Sequence, residues 1–289
     1  MKKDTEKFKK TSQGQNRPFN KNAKGNKNGK GGKTWPKTEK KGPRINVDIW
    51  GMHAVQEAWL NHERDIKALY ISEKALEQFQ DVITQAQREK ITRPQPQIID
   101  KKELDRLGQN TVHQGIAIQT EPLPEILVQD LISLTYKQDT SVILMLDQVT
   151  DPHNVGAILR SAAAFGAHGV ILQTRHAPQL DGILAKTASG AVDHIPVAYE
   201  TNLSRALEIL QENGYHALGL DERGDELGST TIQKKKLVLV LGSEGNGLRP
   251  KIKDQCNQLV RLPTQGAIQS LNVSNAAAIA LYAAKAAQN

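Results

Sequence analysis

Two kinds of apolar pattern divide the chain. Over residues 45–122, short apolar runs alternate with amphipathic stretches. Helices are predicted over 52–61, 75–89 and 101–107, and strands over 68–71, 97–99 and 113–119. Beyond residue 141 the runs become almost wholly aliphatic, as in Val142-Ile-Leu-Met-Leu146 and Leu237-Val-Leu-Val-Leu241. Strands are predicted there over 142–146, 170–173, 216–220, 237–241 and 259–262, and helices over 155–165, 179–189, 203–212, 251–255 and 273–287. Near-continuous aliphatic strands separated by helices imply a parallel sheet covered on both faces. The expected fold class is therefore α/β, with a doubly wound domain over 141–289 and a smaller α/β unit over 45–122. A linker over 123–140 carries the apolar run 126–134, which reads as a packed helix.

Charge sets the first 44 residues apart. They hold 15 Lys and Arg against 3 acids, a net of +12, so the remainder carries 23 basic and 28 acidic residues, a net of −5. This stretch has almost no aliphatic side chains and cannot bury enough apolar surface to offset the entropy of ordering, so a disordered basic tail is expected. It reads as an electrostatic arm for RNA phosphates, or as a solubilising extension. No apolar run reaches the roughly 18–20 residues that span a bilayer, and the basic N-terminus lacks the apolar stretch of a secretory signal. A soluble, cytoplasmic protein is expected. Cys256 stands alone and cannot form an internal disulfide, and the eight histidines lack metal-ligand spacing, so no metal is expected.

Three stretches concentrate small and polar residues where a strand gives way to a loop or helix: Asp151-Pro-His-Asn-Val-Gly-Ala-Ile-Leu-Arg160, Leu241-Gly-Ser-Glu-Gly-Asn-Gly-Leu248 and Leu262-Pro-Thr-Gln-Gly-Ala-Ile-Gln-Ser-Leu-Asn-Val-Ser-Asn275. In open α/β sheets ligands bind outside the strand ends. A dinucleotide-binding dehydrogenase is disfavoured, because the turn after the first long strand has no glycine before Gly156. Asn154 sits where a helix N-cap is expected and could serve as a cap, a ligand contact or both. Arg160 lies inside the same helix among apolar neighbours and should lean back toward the helix start. Glu244 is the one acid of its loop, able to pair with Arg160, contact a substrate or cap the next turn. Gly242, Gly245 and Gly247 permit close approach of a ligand. Ser270 and Asn272 fall at a helix entrance, where short polar side chains cap amides or bind a ligand.

In order and wording the three stretches resemble the three motifs of the SpoU family of RNA ribose 2′-O-methyltransferases, over nearly everything from residue 142 to the C-terminus. The resemblance implies a trefoil-knotted, SPOUT-type catalytic domain, against the usual rule that chains do not thread loops. It implies that the small N-terminal unit binds the RNA substrate, with S-adenosyl-L-methionine as cofactor. The nearest subgroup methylates a guanosine of 23S ribosomal RNA. A transfer-RNA 2′-O-methyltransferase and a non-catalytic RNA-binding assembly protein on the same fold are the alternatives. Arg160 matches the family arginine proposed to activate the ribose hydroxyl; a guanidinium gives up its proton so reluctantly that stabilisation of a developing alkoxide suits it equally well. By the same resemblance Ser270 and Asn272 belong to the catalytic pocket, joined by the candidates Asn154 and Glu244. The backbone at Gly242, Leu262 and Leu271 aligns with cofactor contacts, although the two leucines alone would read as core. The small-residue helix over 276–287 suits tight packing within a knot or across a homodimer.

Overall fold

The computed structural model describes residues 47–107, 111–228, 232, 234–266 and 270–288; the basic tail over 1–44 lies outside them. The first unit runs β1 (Ile49–Trp50), α1 (Met52–Leu60), β2 (Ile66–Ile71), α2 (Glu73–Arg88), β3 (Pro96–Ile98), α3 (Lys101–Leu107) and β4 (Ile116–Thr120). Its sheet has the order β1-β4-β2-β3, with β4 antiparallel to both its neighbours. After α4 (Val128–Thr135) come β5 (Ser141–Asp147), α5 (Pro152–Ala164), β6 (Gly169–Gln173), α6 (Gly182–Thr187) and a single 3-10 turn at Ala191–Asp193. They are followed by β7 (Val197–Glu200), α7 (Leu203–Glu212), β8 (His216–Glu226), β9 (Lys236–Gly242), α8 (Pro250–Gln255), β10 (Gln258–Arg261) and α9 (Val273–Gln288).

The second sheet has the order β10-β8-β9-β5-β6-β7, and every neighbouring pair is parallel. Alternation along β5 sends Val142, Leu144 and Leu146 to one layer, with Val155, Ile158 and Leu159 of α5 and Ala277 and Leu281 of α9. Ile143 and Met145 go to the other, with Leu203 and Leu207 of α7 and Ile252 of α8. All seven residues of β5 are buried, which is why its sequence is a continuous aliphatic run. Cys256 packs at the edge of the second layer, where burial pushes its thiol up to about 12 and removes the thiolate that reactivity requires.

Most of the predicted elements are present, and α3 and α7 have the expected bounds. The pattern missed β1, two residues long, and β7, which follows Pro196 at the sheet edge. It also stopped β8 at residue 220, whereas the strand continues through Asp221–Glu226 and pairs with β10 across a register shift at Leu259/Val260.

The first unit is fastened to the second at the 3-10 turn. Arg64, 3% exposed, donates from Nε to Asp193 Oδ1 at 2.7 Å, and the Asn61 amide reaches the same oxygen at 3.0 Å. Arg93 closes the end of α1, donating to the carbonyls of Trp59 at 2.7 Å and Asn61 at 2.6 Å while its guanidinium lies over the Trp59 ring. Removing one member of such a pair leaves a charge buried without compensation. Asp193→Ala is therefore expected to lower the unfolding free energy by about 3–5 kcal/mol. Urea titration checks this, and a loss below about 1 kcal/mol, the level of a surface ion pair, would show that the contact fastens nothing.

Candidate active site

β5 and β9 pair in parallel from Ser141↔Lys236 to Asp147↔Gly242, so both strands end at the same level. The chain leaves β5 for α5 on one face of the sheet and leaves β9 for α8 on the other. The loops diverge and open a crevice at the carboxyl ends, as at the switch point of other open α/β sheets. A cleft of about 400 Å³ lies beside it, over the carboxyl ends of β8, β9 and β10, within the usual range for small-molecule sites. It is bounded by the end of β8 (Leu220 to Arg223), by residues 241–247, by the segment after β10 (Leu262, Thr264, Ser270, Leu271), and by Val273 and Ala276 of α9.

The first motif forms the start of α5, at the end of β5. The cap of α5 is Asp151, whose side chain accepts from the His153 amide at 3.0 Å, with Pro152 following in the first turn. This corrects the expectation that Asn154 caps the helix. Proline fits the first helical position because its missing N–H is needed least there, and this fixes the cap one residue earlier. Asn154 is inside the helix and free to point outward. Gly156 serves packing: a Cβ there would sit 2.8 Å from the Leu184 carbonyl oxygen and 2.9 Å from Thr187 Cβ of α6.

The second motif leaves β9 and folds back on itself. The Gly247 amide donates to the Ser243 carbonyl at 2.9 Å, and a Cβ on Gly242 would lie 2.1 Å from the Gly247 carbonyl carbon. Any larger residue at 242 must push the loop off the sheet. Glu244 is held at the tip. Its Oε1 accepts the Asn154 amide at 3.1 Å and the Asn272 amide at 2.5 Å, and Asn272 also donates to Asn154 Oδ1 at 3.0 Å. One side chain from each motif thus meets the other two. Among the described residues the second carboxylate oxygen of Glu244 has no hydrogen-bond partner, so an acceptor is left for a ligand. Asn272 is also the cap of α9, accepting the Ser274 amide at 2.9 Å.

The structure brings Gly242, Glu244, Leu262, Ser270 and Leu271 to the cleft wall. Leu271 is 41% exposed and Leu262 half-buried, so neither is plain core. Arg160 stands apart. It is exposed on α5, does not line the cleft, and has no hydrogen bond or ion pair among the described residues, Glu244 being taken by the two asparagines. Six helical positions beyond Asn154 mean about 240° around the axis and about 9 Å along it. Residues 220–223, which form a whole wall, were missed because a polar stretch after a strand reads as loop. Their one ion pair joins Asp221 Oδ2 to Lys253 Nζ at 2.7 Å and, with the Arg223 amide, holds the carboxyl below its ordinary range despite the opposing effect of burial. Among the described residues no group of three His, Cys, Asp or Glu side chains is placed to hold a metal ion, and no helix is long and apolar enough to cross a membrane.

Residues 141–282 match the SpoU rRNA Methylase family, and residues 49–126 match the RNA 2′-O ribose methyltransferase substrate binding family. The chain is 37% identical over 238 residues to YacO of Bacillus subtilis, described as a TrmH family tRNA/rRNA methyltransferase, covering 81% of this chain and 93% of that one. It is 36% identical over 243 residues to the 23S rRNA (guanosine-2′-O-)-methyltransferase RlmB of Pasteurella multocida, covering 82% and 97%. Several longer relatives extend beyond it, the chain spanning 58 to 61% of their length. Among solved structures, the SpoU methyltransferase AviRb of Streptomyces viridochromogenes in complex with AdoMet superposes with a TM-score of 0.65 at 24% identity, over 83% of this chain and 89% of that one. Both sequence units and the fold that carries the cleft agree: this chain belongs to the SpoU family of RNA methyltransferases.

Proposed function

We propose that the protein transfers the methyl group of S-adenosylmethionine to the ribose 2′-hydroxyl of a guanosine in 23S ribosomal RNA, in the cytoplasm. The observation that carries this reading is that the second and third motifs line one cleft and the first joins them through Asn154, which with Asn272 holds Glu244. The cleft fits the cofactor. Leu220, Leu241, Val260 and Ala276 supply an apolar wall for a flat base, Ser243, Glu244 and Asn246 supply polar groups, and the collapsed Gly242 turn leaves backbone free to face a ligand. When bound, the sulfonium supplies an electrophilic methyl carbon. The chain's own task is alignment of the ribose oxygen with that carbon, which can contribute roughly 7–11 kcal/mol of a barrier, and help with the departing proton. Arg160 is assigned to the developing alkoxide, and Ser270 and Asn272 to orientation of the ribose.

The small unit over 45–122, joined by the linker 123–140 to the catalytic domain over 141–289, is assigned to RNA. The trefoil threading of the C-terminal segment belongs to the same reading, supported by the return of α9 onto α5 and β9. So does a homodimer. Ile279 and Tyr282 of α9 are 45% and 63% exposed, and Tyr282 stacks edge-on against Phe165 beside α5, the helix that carries Arg160. An exposed apolar face on α9 is what a second copy would cover.

Purified protein incubated with labelled S-adenosylmethionine and protein-free 23S rRNA is expected to yield 2′-O-methylguanosine. Methylation confined to transfer RNA would move the substrate, and binding without turnover would leave an assembly protein. Arg160→Ala should lower turnover by about 10²-fold or more while cofactor affinity stays within a few-fold. Retention of wild-type turnover by this variant would return Arg160 to the surface. Sedimentation at micromolar concentration is expected to give twice the chain mass, and a fully active monomer would contradict the dimer. Deleting residues 1–44 should weaken RNA binding and flatten its salt dependence, by up to roughly 0.7–0.9 in slope per lost phosphate contact, without changing the methylated nucleotide. An unchanged slope would make the tail a solubilising extension.

A further inference from the structure

Asp147 ends β5 with its side chain wholly buried, directly beside Gly242 at the end of β9. Both of its carboxylate oxygens are taken by one residue. The Arg249 backbone amide donates to Oδ2 at 2.8 Å and Arg249 Nε donates to Oδ1 at 2.6 Å. The loop that leaves the sheet at Gly242 is thus brought back to the same point at Arg249, so one carboxylate closes it. Inside the closed loop, the Ser243–Gly247 pairing and the contact of Gly247 on Gly242 leave a single path for the chain, with Glu244 at its tip. A buried carboxylate is costly to desolvate, and an apolar residue would end a buried strand at lower cost. Its presence beside Gly242, with both oxygens committed to Arg249 at the far end of the glutamate-bearing loop, calls for a role that an apolar residue cannot fill.

We propose that Asp147 and Arg249 are a positioning pair for methyl transfer, which fixes the 242–249 loop so that Glu244 and the Gly242 backbone are held toward the donor cleft. The inference rests on the reading of that cleft as the cofactor site. Neither residue lines the cleft, so the pair acts through the loop. Lysine at 249 would keep the backbone amide to Oδ2, but its ammonium stands at the end of a longer stem than Nε and cannot offer Oδ1 a donor at the same point.

The test compares wild type with Asp147→Asn, Arg249→Lys, Glu244→Gln and the double variant Asp147→Asn/Glu244→Gln. The measurements are kcat and KM on RNA, S-adenosylhomocysteine affinity by calorimetry, and amide exchange over 243–248. Arg249→Lys retains the backbone amide to Asp147 and keeps the comparison readable should Asp147→Asn fail to fold. Arg249→Lys and Asp147→Asn are each expected to weaken S-adenosylhomocysteine binding or lower kcat by about 10- to 100-fold, with faster exchange confined to the loop. The double variant should be little slower than Glu244→Gln alone, since a pair that acts by placing Glu244 has nothing left to place. Losses that multiply in the double variant, or wild-type affinity and turnover in Arg249→Lys, would overturn the pairing while the cofactor site stands. A wild-type protein that binds no S-adenosylhomocysteine would overturn the reading of the cleft and the proposal with it.

Discussion

The parallel pairing of β5 with β9 is the constraint on which the rest of the molecule hangs. Seven register pairs bring Asp147 level with Gly242, and from there the chain must leave in two directions because the two strands feed helices on opposite faces. The cleft opens beside that divergence, over the carboxyl ends of β8, β9 and β10. Everything placed around it is a local solution for filling the space: a proline-started helix that presents Asn154, a glycine turn folded against its own strand, and a third segment that enters α9 through Asn272. The pairing is secured by aliphatic side chains buried on both faces, so the loops that carry the second motif start from a well-packed strand.

Much of this was legible in the sequence because the governing patterns are local. The uninterrupted aliphatic runs over 142–146 and 237–241 could be satisfied only by burial on both faces, and the amphipathic spacing of 203–212 and 101–107 marked α7 and α3 to the residue. The three motifs were legible as sites because glycine and short polar side chains at strand ends have few purely structural uses. What stayed hidden depends on partners distant in sequence. β7 is too short for a periodic signal, and the extension of β8 is made of polar residues whose strand conformation is imposed by β10 alongside. Asn154 was assigned the cap by its residue type, although the Asp151-Pro152 pair holds the stronger signal. Nothing in the spacing of Asp147 and Arg249, 102 positions apart, announces that they meet.

Arg160 shows the limit of reading a motif as one surface. Its distance from Asn154 in sequence places it on another side of α5, and the chain by itself does not carry its guanidinium to the cleft. Glu244, which by sequence could have paired with it, contacted a substrate or capped the next turn, is engaged by two asparagine amides. The arginine's charge therefore stays exposed on α5. Charge is unevenly distributed across the sequence: the basic tail carries +12 and the remainder −5.

The most direct test of this account is a crystal structure of the protein with S-adenosylhomocysteine. The account predicts density in the cleft between the Gly242 turn and the segment at Leu262 and Leu271, with the sulfur toward Glu244. Density at any other place on the sheet, or at the small N-terminal unit with the cleft empty, would contradict it.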